Sequence, residues 1–171
     1  MTTILTATPI DAELLAELGK TTFLESHSHS ASKKDITNYV KTKFAVETFE
    51  RELKQAKNHY HILYHDETPI GYSKMVLNVK HKNIPIDHTT KLERLYVLGK
   101  HHHLKLGLEL FKFCVTFSKN HDQSGMWLYT WVENHKALAF YKKAGFKIVG
   151  SYDFKISDTH YNPNHQMYLA Y

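Results

Sequence analysis

Only one cysteine, Cys114, occurs among the 171 residues, so no disulfide can close within the chain and no cysteine-built metal site can form. No apolar run approaches the roughly 20 residues that span a bilayer, and the first residues lack the basic-then-apolar pattern of a secretory signal. A cytoplasmic address with no membrane partner is the expectation. Internal repeats, low-complexity tracts and linker-like stretches are absent too, which predicts a single domain over residues 1–171. Neither sign of charge dominates. Lys and Arg number 22 against 17 Asp and Glu, for a formal +5, and 14 histidines add to it below neutral pH. That balance suits an anionic ligand, nucleic acid or an acidic surface equally well. A hydrophobic content of 42% describes an ordinary folded chain rather than a disordered one.

The most informative stretch runs from Glu93 to Phe117. Leu92 and Arg94-Leu95-Tyr96-Val97-Leu98 read as a buried strand. From about Lys105 onward, Leu108, Phe111 and Val115 share one side of a helix, with Leu110, Cys114 and Phe117 beside them. The leucines from 104 to 110 also alternate as a strand would. The absence of a turn signal before Asn120 favours the helix, and it places Cys114 in inert apolar packing. Strand, short basic loop and helix together present free N–H groups at a helix N-terminus, where phosphate binds.

Elsewhere, Thr3 to Ala7 is a short strand candidate. Thr8 and Pro9 open a helix predicted to stop at Gly19, and Glu25 to Ser32 reads as a polar loop. Ile36 to Phe44 and Val46 to Ala56 suit two more helices. Tyr60 to Tyr64 and Ile70 to Val79 form a hairpin about the turn Asp66-Glu-Thr-Pro69. Lys80 to Thr90 and His121 to Gly125 are loops, and Met126 to Val132 is a second buried strand. Asn134 caps a helix over Lys136 to Ala144 that ends at Gly145. Strand follows from Phe146 to Lys155, then a turn-rich loop at His160 to Asn164, and a closing strand from Gln166 to Tyr171. The pattern is one α+β domain with a mixed sheet.

The segment Asn134-His-Lys-Ala137-Leu-Ala-Phe140-Tyr141-Lys-Lys-Ala-Gly145-Phe146 resembles the GNAT superfamily of N-acetyltransferases, whose motif is Asn-x-x-Ala-x-x-Phe-Tyr-x-x-x-Gly-Phe. Within it the chain looks most like the bacterial spermidine/spermine acetyltransferases of the PaiA kind. Glu93-Arg94-Leu95-Tyr96-Val97, Trp127-Leu-x-x-Trp131-x-x-Asn134, and Thr22-Phe23 with Tyr39-Val-x-x-x-Phe44 carry that likeness. The family's coenzyme A loop, Gln/Arg-x-x-Gly-x-Gly/Ala, corresponds here to His102-His103-Leu104-Lys105-Leu106-Gly107, which keeps only the last glycine.

The resemblance implies a mostly antiparallel central sheet with splayed central strands and flanking helices. It implies acetyl-CoA as co-substrate, no metal, and a small amine as acceptor, extending to a polyamine. Main chain of Leu95, Tyr96 and Val97 would pair with the pantetheine arm, and residues 102–107 would hold the pyrophosphate. Asn134, Phe140 and Lys143 complete the expected cofactor contacts, although Asn134 also serves as a helix cap and Lys143 equally suits solvent. Tyr141, a phenol with a pKa of about 10, would protonate the leaving thiolate, or else pack as an aromatic residue on the inner face of its helix beside Phe140. Glu93 would be the general base through water, or else a carboxylate paired with Arg94 or a lysine. Glu25, His27 and His29 would line the acceptor side, or form a polar loop. A homodimer through edge strands or C-terminal segments is the implied assembly. His101-His102-His103 reads as a basic loop rather than a metal site, since consecutive histidines cannot converge on one ion. Two other functions fit the residues: a coenzyme A-binding regulatory module, suggested by the altered glycine loop, and a basic nucleic-acid-binding protein, for which no recognition motif is present.

Overall fold

In chain order the elements are β1 (Thr2–Thr6), α1 (Ala12–His27), α2 (Lys33–Lys43), α3 (Val46–Leu53), β2 (Asn58–His65), β3 (Thr68–Val76), β4 (Thr89–Val97), α4 (Leu106–Asn120), β5 (Gly125–Trp131), α5 (His135–Lys143), β6 (Lys147–Lys155) and β7 (Tyr161–Ala170). They come from a computed structural model describing residues 1–171. The strands form one sheet in the order β1-β2-β3-β4-β5-β7-β6. Every neighbouring pair is antiparallel except β4 and β5, which are parallel. No helix is long and apolar enough to cross a membrane.

Strand alternation sends successive side chains to opposite faces, and each face has its own core. Tyr60, Ile62 and Tyr72 join α1, α2 and α3 through Leu15, Phe23, Ile36, Phe44 and Phe49. On the other face, Met75, Leu92, Met126 and Leu128 pack with Phe111, Cys114 and Leu138 of α4 and α5. Cys114 is fully enclosed there, and burial pushes its thiol up to about 12.

Two expectations need correction. The first helix does not stop at Gly19 but runs on to His27, taking in Glu25 to His27 from the expected loop. Gly19 is a packing residue: a Cβ there would lie 2.5 Å from Cδ1 of Phe44 and 3.0 Å from the Tyr72 hydroxyl. Thr22 and Ser26, which weaken a helix when their hydroxyls compete for the backbone, instead donate to the carbonyls of Leu18 and Thr22 at 2.7 and 2.8 Å. Second, the expected loop at residues 160–164 is largely strand, because β7 starts at Tyr161 and pairs with β6, Asp153 opposite Pro163. Helix α5 ends as expected: Gly145 sits at φ +100° just past it, where a left-handed residue suits glycine.

Candidate active site

The two halves of the sheet meet along very little backbone. β4 and β5 pair only at Thr89 with Gly125, Thr90 with Met126 and Lys91 with Trp127. Beyond that point they diverge, so main chain of β4 from Leu92 to Val97 has no ladder partner on its β5 side. A bulge contributes to the bend: Lys74 of β3 stands opposite Arg94 while Met75 stands opposite Leu92, leaving Glu93 as the extra residue. Between the separated strands lies a cleft of about 1530 Å³. Every site residue expected from the sequence lines it except His29, His103, Leu104 and Leu106; His29 is exposed and packs on Trp131 from outside, 5.3 Å between ring centroids. Leu106 is buried with Leu63, Ile70 and Leu110, and Leu104 packs against them, so these two leucines have only main chain to offer a ligand.

One end of the cleft is basic: Lys100 and Lys105 belong to the turn that follows β4 and Lys136 of α5 reaches His102 in it, while Lys143 lines the cleft from the far end of α5. The turn is a 3-10 segment, Gly99–Leu104, and α4 starts after Lys105. Lys105 adopts φ 57°, ψ 17°, the left-handed conformation that a glycine would take without strain. Three contacts, made by Glu25 and His102, brace this turn. The Glu25 carboxylate at the end of α1 accepts from the Gly99 N–H at 2.8 Å. His102 bridges the cleft mouth, its Nε2 lying 2.7 Å from the Val97 carbonyl and its Nδ1 2.7 Å from Lys136 Nζ. With Nε2–H donating, Nδ1 accepts from the lysine. Glu25 therefore holds the basic turn instead of facing the acceptor side.

On the opposite wall, Asn134 caps α5 by accepting from the Ala137 N–H at 3.1 Å. That start directs Tyr141 inward, between Phe140 and Phe146 with ring centroids 5.3 and 5.4 Å away. Burial, with smaller contributions from Tyr96 and Cys114, raises the Tyr141 phenol well above its ordinary value, so it stays protonated.

The floor on the α1 side carries charge. Lys74, only 6% exposed, bridges Glu52 at 2.8 Å and Glu93 at 2.6 Å, and Lys91 reaches Glu93 at 3.0 Å. Burial alone would raise the Glu93 carboxyl, but the two lysines outweigh it and hold it at about 2. Glu93 is thus paired with lysines rather than with Arg94, and a carboxylate held so low is a weak proton acceptor. Arg94 rests against the rings of Phe44 and Phe49, its guanidinium carbon 4.9 and 5.3 Å from their centroids. His27 stacks on Phe23 at 4.9 Å and leans on Trp131 at 5.8 Å. Burial, then His29, lowers its imidazole to about 4.

Lys74, Glu52, Arg94, Lys136 and Trp131 were not singled out from the sequence for a role in the site. Lys74 left a signal, since a lone cation inside the buried run Gly-Tyr-Ser-Lys-Met-Val requires a partner. Glu52 left none, because it looks like any polar helix residue.

An open seven-stranded sheet parted at a parallel central pair, with a basic turn at one end and a tyrosine across the gap, defines an acyltransferase-like site. Residues 21–146 match the Acetyltransferase (GNAT) family. The chain belongs to that family and is an N-acetyltransferase. An uncharacterised N-acetyltransferase of Mycobacterium tuberculosis is 24% identical over 152 residues, which cover 89% of this chain and 93% of the relative. Another from Lactobacillus delbrueckii subsp. lactis is 21% identical over 141 residues, 82% of each chain. Among solved structures, the PaiA N-acetyltransferase of Thermoplasma acidophilum, in complex with coenzyme A, superimposes with a TM-score of 0.79 at 21% identity, covering 100% of this chain and 99% of that one.

Proposed function

We propose that the chain transfers an acetyl group from acetyl-CoA to the amine of a small acceptor. The observation that carries this is the gap between β4 and β5, which leaves the Leu92 to Val97 main chain unpaired opposite Tyr141. When bound, acetyl-CoA supplies the acetyl group as an activated thioester. The N–H and carbonyl groups along Leu95 to Val97 are free to align an extended amide-bearing chain, and one such N–H polarises the acyl carbonyl. The turn from His102 to Gly107 offers main-chain N–H groups with Lys100, Lys105 and Lys136 around them, which suits a diphosphate. Lys105 occupies the glycine-like conformation, so its side chain does not require the turn to be rebuilt. Asn134 and Phe140 shape the α5 wall, and Lys143 extends the basic rim. The Tyr141 phenol, protonated at neutral pH, is the group placed to return a proton to the departing thiolate. Glu93, bound by two lysines, orders the floor and is not the base in this reading.

The polyamine acceptor implied by resemblance finds little support in the charges. Glu25, Glu52 and Glu93 are the carboxylates that reach the cleft, and each is already engaged by a group of the chain. Acetyl-CoA titration followed by thiol-release assays over an amine panel tests the proposal. Tyr141→Phe should lower kcat by about 100-fold or more with the acetyl-CoA Kd unchanged. Unaltered turnover would remove Tyr141 from the chemistry.

A further inference from the structure

Arg94 has more donors than the chain uses. Of the five N–H groups on a guanidinium, at most two reach partners in the protein, the Tyr60 hydroxyl at 3.4 Å and the Tyr72 hydroxyl, both of them neutral phenols. Arg94 forms no ion pair. Glu52 is held by Lys74 at 2.8 Å and also accepts from the Tyr60 hydroxyl. Glu93 is held by Lys74 and Lys91. Arg94 also stands directly across from Lys74 in the β3–β4 register, a juxtaposition of like charges that is unfavourable without a counter-ion. Lys74, Lys91 and Arg94 face Glu52 and Glu93 alone, so the floor keeps one positive charge unbalanced. That charge lines the cleft from a half-buried side chain and belongs to a planar fork held by the faces of Phe44 and Phe49.

We infer that Arg94 is the anchor for a carboxylate on the acceptor, making the acceptor an α-amino acid with an apolar or aromatic body rather than a polyamine. The inference rests on the transferase reading above and specifies its second substrate. A carboxylate matches the fork with two parallel hydrogen bonds and supplies the missing negative charge. Arg94 and Tyr96 project from β4 onto the same face, and the main chain between them belongs to the stretch assigned to the acyl group. An amine two bonds from an anchored carboxylate therefore falls beside that stretch. Tyr39, His27, Trp131 and Phe154 line the cleft and offer a mostly apolar surface to the remainder of the molecule. A polyamine would bring several positive charges to a floor that is already positive.

The test is a thiol-release assay with the unmodified protein at saturating acetyl-CoA. Apolar and aromatic α-amino acids are each compared with their amide and their decarboxylated amine, and spermidine is included. The expected result is a kcat/KM at least about tenfold higher for the acid than for either analogue, with spermidine slowest. Arg94→Met should lower kcat/KM for the acid by about 100-fold while changing the decarboxylated amine less than about threefold, and Arg94→Lys should restore part of the loss. Equal or better turnover of the decarboxylated amines or spermidine overturns the inference and leaves the transferase intact. So does an Arg94→Met loss shared by all acceptors. Calorimetric titration of the same amino acids into the protein saturated with coenzyme A separates the two readings. Acid-selective binding abolished by Arg94→Met upholds the anchor even where no acetylation is seen, and no binding of any acid overturns it.

Discussion

Lys105 carries a left-handed backbone at the mouth of the cleft, a conformation that disfavours a side chain with a Cβ. Replacing it with glycine should raise stability by roughly 1 kcal/mol, measured by urea unfolding, while removing one cation from the basic rim. A second residue-scale effect lies far from the cleft. His61 is 1% exposed with neither ring nitrogen hydrogen-bonded, and it meets the edges of Phe113 and Phe117 at 4.8 Å. Burial first, then His59 and His121, lower its imidazole to about 4. The unfolded chain takes up that proton near pH 6.5, whereas the folded chain resists until about 4. Stability is therefore complete above pH 6.5 and declines as the pH falls toward 4, by on the order of 3 kcal/mol at most from this group. His61→Phe should flatten the dependence in unfolding curves taken at pH 7.5 and 5. Sequence reveals such sites unevenly. His61 in His-Tyr-His-Ile-Leu already had an apolar frame, but Arg94 and Glu93 looked like natural partners only because they are adjacent in the chain.

At the scale of elements, the turn after β4 depends on its neighbours. Glu25 on α1 and Lys136 on α5 brace it from two sides, one through the Gly99 N–H and the other through His102. Glu25→Ala should leave that N–H without its carboxylate and weaken acetyl-CoA binding by about 1 kcal/mol, roughly fivefold in Kd. The effect is to be read by calorimetry, with the acceptor KM unchanged. Legibility follows the range of the forces involved. The α5 cap and its closing glycine are local devices, with Asn134 bonding three residues ahead, so the sequence displays them directly. Gly19 shows the limit. A glycine that ends a helix and one that admits a phenyl ring look alike until Phe44 is brought beside it. The strand at residues 161–164 was hidden for a similar reason, since its turn-forming Asn and Pro are overruled by pairing with β6.

Across the whole molecule, the sheet consists of an N-terminal part, β1 to β4, and a C-terminal part, β5 to β7, and the core on the α4 and α5 face runs across both, from Met75 and Leu92 to Met126, Leu128 and Met167. Three residue pairs join the two parts laterally. Amides on either flank of the gap should exchange faster than those of β2 and β3, which are paired on both sides. Hydrogen exchange with and without acetyl-CoA provides the check: protection should rise most between Leu92 and Val97 and far less in β6.

That short lateral joint gives the small molecule an architectural duty. Pantetheine has amide groups of its own, so lying along the open rim of β4 it would act as a surrogate strand, lending the protein the rungs its polypeptide omits. Each catalytic cycle would then begin by finishing the sheet and end by undoing it.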